Sequence, residues 1–117
     1  MSNTDRKYDL EERTARFGEN IILMCRKIDR NDNIAKPLIN QIIRSATSIG
    51  ANYMEADGAE SKKDFKHKIG ICKKESKETK HWLRMLAITV PELKDEIRLK
   101  WKEAQELTLI FSAIIRN

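Results

Sequence analysis

The stretch RSATSIGANYMEADGA, residues 44–59, decides the fold of this chain. It is dense in small and polar residues, so it could be either a glycine-containing loop or a helix. An apolar repeat with spacings of three and four residues starts before the stretch and runs through it. Its members are Leu38, Ile42, Ala46, Ile49, Tyr53 and Ala56. This spacing is typical of one face of an α-helix. The stretch is therefore predicted to be helical, and Ala46 and Gly50 would let a neighbouring helix come close.

Repeats of the same kind predict four helices along the chain. Pro37 is well placed as the first residue of the second helix, because its missing N–H costs nothing there. The third helix carries the longest unbroken repeat, and the repeat of the fourth places Trp101 inward. The predicted ranges are 9–29, 37–57, 62–89 and 94–115. Amphipathic helices with short connections pack as antiparallel neighbours. Residues 1–117 are therefore predicted to form one all-α domain, an up-down-up-down four-helix bundle.

The composition agrees with this class of protein. Hydrophobic residues make up 40% of the chain and charged residues 35%, with only two Pro and four Gly. Such a chain is too apolar for disorder and too poor in turn residues for a many-stranded β protein. No apolar run approaches the roughly 18 residues of a membrane span, and the start does not resemble a signal peptide. Cys25 and Cys72 lie far apart, which is typical of reduced core thiols. A soluble cytoplasmic protein is expected.

The basic charge is concentrated on the third helix. The chain carries a net charge of +5, yet residues 62–84 contain nine basic and three acidic residues. Six of the basic residues fall within an arc of about 60° at 100° per residue. They are Lys62, Lys66, Lys73, Lys77, Lys80 and Arg84. A straight basic stripe of this kind suits a phosphate backbone and predicts binding to RNA or DNA. The alternative is a solvated lysine face, which is common on helical bundles.

A second group of polar residues is predicted to be structural or to form an interface. Glu75 falls among the inward positions of the third helix and should be partly buried. A buried carboxylate needs a cation or hydrogen-bond donors, and Arg44 on the second helix is the candidate partner. A catalytic role for this carboxylate is the less favoured alternative. The full group is Arg44, Ser48, Asn52, Glu55, Glu75 and Glu78.

The sequence does not favour an enzyme or a metal site. Glu78-x-x-His81 has the spacing used by di-iron bundles, but such a site needs the same motif on a second helix. The nearest copy, Asp64-x-x-His67, lies on the same helix. No phosphate-binding loop, nucleophile elbow or Cys/His pair is present. We therefore expect a non-enzymatic protein without a cofactor or metal.

The stretch at residues 44–59 also resembles the signature of the 23S rRNA intervening-sequence proteins, also called four-helix bundle proteins. The matching residues are Gln41, Arg44, Ser45, Ala46, Ser48, Ile49, Asn52, Glu55 and Ala56. A second block is matched by Phe65, Lys74, Glu75, Glu78, Trp82 and Leu83. The likeness extends from about residue 17 to residue 115. Ala56 departs from the pattern, since many members carry Gly there.

This resemblance implies an antiparallel, left-handed four-helix bundle that assembles into a ring-like homopentamer in bacteria. A related branch of the family serves as an accessory protein that contacts a reverse transcriptase and nucleic acid. The resemblance therefore implies two classes of partner besides a second copy of the chain. One is RNA or DNA, bound through the basic stripe. The other is a protein such as a reverse transcriptase or another polymerase, for which the bundle would be a scaffold without direct nucleic-acid binding.

Overall fold

The computed structural model describes the backbone of residues 3–117 and the side chains of residues 9–117. The described part contains four α-helices and no strand. The helices are α1 (Asn3–Cys25), α2 (Ala35–Asp57), α3 (Lys62–Thr89) and α4 (Lys94–Arg116). A short 3₁₀ turn, Pro91–Leu93, leads into α4. The first two residues of the predicted 1–117 domain lie outside the described residues.

Three helix boundaries differ from the prediction by two or more residues. The first is the start of α1, which lies at Asn3 and not at residue 9. The predicted helix 9–29 ends earlier, at Cys25, because Ile28 N–H donates to Cys25 O at 3.1 Å and closes a tighter turn. The predicted helix 37–57 begins earlier, at Ala35. The reason is Asp32, whose Oδ1 accepts from the backbone N–H of Ala35 at 3.0 Å and thereby caps the first turn. Pro37 then lies inside that first turn, where its missing N–H still costs nothing.

The bounds of α3 agree with the predicted range 62–89. Ser61 caps the helix, since its Oγ accepts from the N–H of Asp64 at 3.0 Å. Pro91 follows the other end, and the residue before a proline is driven out of the helical region. Val90 accordingly has φ −128° and ψ 69°.

Neighbouring helices are antiparallel, as predicted for an up-down-up-down bundle. Glu55 near the end of α2 lies 3.1 Å from Lys68 near the start of α3. Further along, Arg44 on α2 lies 3.0 Å from Glu78 on α3. Equivalent crossings join α1 to α2 and α3 to α4. The chain is therefore a four-helix bundle whose helices follow one another around a common core.

The core consists of the inward positions of all four repeats. The largest side chains with less than 2% exposure are Ile21, Met24, Ile42, Ile49, Ile69, Leu83, Leu86, Leu107 and Phe111. Each such side chain contributes about 1.5–3 kcal/mol through removal from water. Trp101 is not part of this core, contrary to the prediction, because it lies at the flank of α4 with 39% of its surface exposed. No helix in the described residues is long and apolar enough to cross a bilayer.

The helix pairs differ in how closely their backbones approach each other. Gly18 of α1 and Gly50 of α2 bring these two backbones together: a Cβ on Gly18 would lie 3.5 Å from Thr47 Cα. The contact between α1 and α4 is less extensive than that between α1 and α2 and includes ion pairs. Arg13 binds Glu103 through two hydrogen bonds of 2.7 and 2.8 Å and Glu106 through a third of 2.7 Å.

Candidate nucleic-acid interface

The predicted basic stripe runs along α3 between its most outward side and the flank that packs against α4. Lys62, Lys77 and Arg84 are exposed, while Lys66 and Lys73 are partly exposed. None of these five cations forms an ion pair or side-chain hydrogen bond with another residue in 9–117. From the first to the last, the helix rises by about 33 Å at 1.5 Å per residue. The five cations thus form a row that faces solvent.

Lys80, the sixth predicted member, differs from the others. Its Nζ donates a short hydrogen bond to Gln105 Oε1 on α4. The same Nζ lies 5.3 Å from the centre of the Trp101 ring, within the range of a cation–π contact. Lys80 therefore keeps its charge, but its ammonium group is held at the α3–α4 seam and is less available to a ligand.

Two further lysines belong to the same surface. Lys63 and Lys74 are exposed and lie beside the row, at about 40–60° from Lys77 on the helical wheel. Both fall outside the 60° arc of the predicted stripe. With α2 and α4 packed on its two flanks, the side of α3 that points furthest into solvent lies between the predicted stripe and this pair of lysines. The basic surface is thus broader than the predicted stripe.

Two of the three carboxylates in residues 62–84 are paired with a cation of α2. Glu75 and Glu78 both approach Arg44 on α2, with Arg44 Nη2 3.0 Å from Glu78 Oε2 and Nη1 3.7 Å from Glu75 Oε2. Arg44 was the predicted partner of Glu75, and the structure brings them together. Because these two acidic residues are compensated by a cation of α2, they neutralise little of the charge on the outward side of α3.

Gly70 marks the middle of the outward side. A shallow depression of about 290 Å³ lies over it and is lined by Gly70, Lys73, Lys74, Lys77 and Glu78. A Cβ added at Gly70 would meet no heavy atom within 4 Å. Glycine in a helix interior is less favourable than alanine by about 1 kcal/mol. Neither packing nor backbone geometry of the single chain accounts for this glycine, since no residue in the described chain has a positive φ.

Glu75 is buried as predicted, with 7% of its surface exposed. Its Oε2 has no hydrogen-bond partner among the described residues, since the better-placed Nη2 of Arg44 is bound to Glu78. One guanidinium therefore serves two carboxylates, and the buried one receives the longer contact. A buried charge with an incomplete set of partners is costly, so the position of Arg44 matters for the stability of the α2–α3 seam.

The remaining residues predicted to be structural or interfacial lie along the same α2–α3 seam. Asn52 Nδ2 donates to Ser48 O at 2.8 Å, and Ser48 Oγ donates to Ser45 O at 3.1 Å. Glu55 binds Lys68 at 3.1 Å. These contacts are made within one chain and satisfy the polar groups locally, so they define a polar edge of the bundle.

The nucleophilic and metal-ligating side chains do not converge. Burial raises the pKa of the Cys25 thiol to about 11 and that of Cys72 to about 12, so both are poor nucleophiles near neutral pH. His81 is exposed and its ring contacts Trp82 with centroids 5.0 Å apart. Within the described residues, no three His, Cys, Asp or Glu side chains are grouped as a metal site would require.

Comparison with known proteins places the chain in a family. The family model described as 23S rRNA-intervening sequence protein matches residues 6–109. This chain belongs to that family. A similar solved structure is a protein of unknown function from the S23 ribosomal protein family of Bacteroides thetaiotaomicron VPI-5482. It is 28% identical, covers 92% of this chain and 99% of its own, and has a TM-score of 0.78. No curated protein matches the sequence.

In this member of the 23S rRNA-intervening sequence family, the two sequence blocks that carried the resemblance meet in space. Arg44 from the first block contacts Glu75 and Glu78 from the second. The signature thus describes the polar α2–α3 seam. None of the six predicted stripe cations is among the matched residues, whereas Lys74 of the broader basic surface belongs to the second block.

Proposed function

We propose that this protein is a non-enzymatic, oligomeric, nucleic-acid-associated bundle of the cytoplasm that binds RNA or DNA through the outward side of α3. The supporting observation is the row of cations from Lys62 to Arg84, which lack anionic partners among residues 9–117. Arg44, Glu75 and Glu78 contribute to the fold of the seam. Binding is mainly electrostatic and follows the phosphate backbone, because Trp101, the exposed ring beside the stripe, is already in contact with Lys80.

The proposal sets the expected salt dependence. Each phosphate neutralised on duplex DNA lowers the slope of log affinity against log salt by about 0.9, so five cations give about −4.5. Single strands give a shallower slope of about −3.5. Engagement of Lys63 and Lys74 would steepen both values.

The test is a triple variant in which Lys66, Lys73 and Lys77 are changed to Gln. Anisotropy titrations with labelled duplex DNA at several salt concentrations should show that the slope of log affinity against log salt becomes less negative by about 2.7. The matched control changes Lys36, Lys94 and Lys102 to Gln, since these exposed lysines lie outside α3 and the loss of net charge is the same. Equal slopes for the two variants would contradict binding through α3.

We further propose that the chain forms a homo-oligomer, with the pentamer implied by the family resemblance as the expected state. Exposed apolar side chains on the outer surface support this assembly: Leu23 is 56% exposed, Met54 62% and Leu99 63%. Several basic surfaces in one particle would bind far more strongly than one. Light scattering behind size exclusion, at low and high salt, should give a particle near five times the chain mass of 13.7 kDa. A monomer would contradict the proposal.

The second candidate function is a protein-interaction scaffold for a polymerase or another protein. The observation that favours it is Ile88, which is 84% exposed on the same side of α3 as the basic row. A scaffold whose charge serves solubility should show the same retention on heparin for the α3 triple variant and its charge-matched control. Weaker retention of the α3 variant alone favours nucleic-acid binding.

A further inference from the structure

Gly70 is unexplained by the fold of the single chain. It lies in mid-helix on the outward side of α3, where an added Cβ would contact nothing within 4 Å. Alanine would fit this site and favour the helix. A small residue that the chain's own packing does not require indicates close approach by something outside the chain.

The surroundings of Gly70 indicate the charge of that ligand. Lys73 and Lys74 follow it by three and four residues, and side chains on a helix lean toward its N-terminus. Both lysines therefore lean over the bare helix surface at Gly70, and Lys77 borders the same depression one turn further on. The fifth lining residue, Glu78, is bound to Arg44 at 3.0 Å. The floor of the depression is neutral backbone and its rim is mainly cationic.

We propose that Gly70 is the point at which the phosphodiester backbone of a bound nucleic acid comes closest to α3, with one phosphate bound between Lys73, Lys74 and Lys77. This inference rests on the proposed function and adds a specific position to it. Without a side chain at residue 70, the phosphate lies low enough for lysines on both sides to reach it. A longer side chain at this position would hold the backbone away from the cations.

The proposal predicts that adding a cation at Gly70 weakens binding. The control is a lysine at Ile88, because 18 residues are five helical turns and place both positions at the same angle on α3. Ile88 is already a large, exposed side chain. If charge alone matters, each new lysine tightens binding to duplex DNA by about eight-fold at 0.1 M salt. If the phosphate binds over Gly70, I88K tightens binding. In G70K the loss of a charge-assisted contact, about 10- to 150-fold, outweighs the eight-fold gain from the new charge, so binding weakens.

The variant Gly70→Ala separates this effect from folding. Since its methyl group meets nothing in the free chain, the thermal midpoint should rise, while affinity for the labelled duplex and for labelled single-stranded RNA should fall. The two proposals fail in different ways. If wild type binds nucleic acid through the three α3 lysines but G70K binds as tightly as I88K, the role of Gly70 is refuted and the proposed function stands. If wild type does not bind either probe, both are refuted.

Discussion

Replacing Arg44 by Gln removes the cation nearest to the buried carboxylate of Glu75. The two charges lie 3.7 Å apart. At that distance their attraction is about 1 kcal/mol at the dielectric constant of water and about 4.5 kcal/mol at an effective value of 20. Glu75 has a side chain only 9% exposed, whereas that of Arg44 is 55% exposed. We expect an intermediate coupling of about 2 kcal/mol.

A double-mutant cycle with R44Q and E75Q measures this coupling. E75Q alone should change the free energy of unfolding by less than about 1 kcal/mol, because Arg44 stays hydrated when the carboxylate is lost. R44Q should be markedly destabilising in wild type and nearly neutral in the E75Q background. Urea unfolding followed by circular dichroism gives the four values, with the protein concentration held fixed because association shifts apparent stability.

The parallel cycle with R44Q and E78Q is the control. Glu78 is closer to Arg44, at 3.0 Å, but its side chain is 41% exposed. Exposed pairs contribute at most about 1 kcal/mol, so the shorter contact should show the smaller coupling. The reasoning is refuted if the Glu75 coupling is below about 0.5 kcal/mol or does not exceed that of Glu78.

Three further outcomes are expected. Gly50→Ala should be tolerated because its Cβ would lie 3.4 Å from Thr14 Oγ1, an ordinary van der Waals contact. Gly50→Leu should lower the free energy of unfolding in urea by about 1–3 kcal/mol, because the larger side chain forces α1 and α2 apart. Equal unfolding midpoints for the two variants would contradict this. Because burial raises the pKa of Cys25 and Cys72 above the ordinary 9.0, unfolded thiols ionise first and stability should fall as pH rises above about 9. Rapid thiol labelling of the native protein at pH 8 would count against it. Arg13→Lys should lower the free energy of unfolding by about 0.5–1 kcal/mol, since lysine cannot make the two-pronged contact to Glu103, and an unchanged midpoint would show that this pair is fully screened.

The architecture and part of the polar seam followed from periodicity. An inward position on a helical wheel is a local property of the sequence, so the burial of Glu75 and its approach to Arg44 were predictable. The ends of the helices were less predictable. Cys25 ends α1 through a tightened turn, and Asp32 starts α2 through a cap, and neither signal interrupts the apolar repeat.

The candidate interface was only partly predictable, for a different reason. A wheel gives angles within one helix but not the position of the neighbouring helix. The diversion of Lys80 depends on where α4 places Gln105 and Trp101. The sequence also does not show whether a glycine in a helix lies against a neighbouring helix, as Gly50 does, or faces solvent. Only the packing shows that no other helix covers Gly70.

Helix α3 is packed against α2 on one flank and against α4 on the other. The row of cations is therefore carried by a rigid backbone. Their positions along the helix, set by a rise of about 1.5 Å per residue, are established before any ligand arrives. In the proposed complex the protein backbone would therefore lose little entropy on binding, and most of the ordering would fall on the polymer. A nucleic acid shorter than the row of cations would leave some of them unused, and a longer one would gain no further contact with the same helix. The proposed surface would thus distinguish nucleic acids by length and not by sequence.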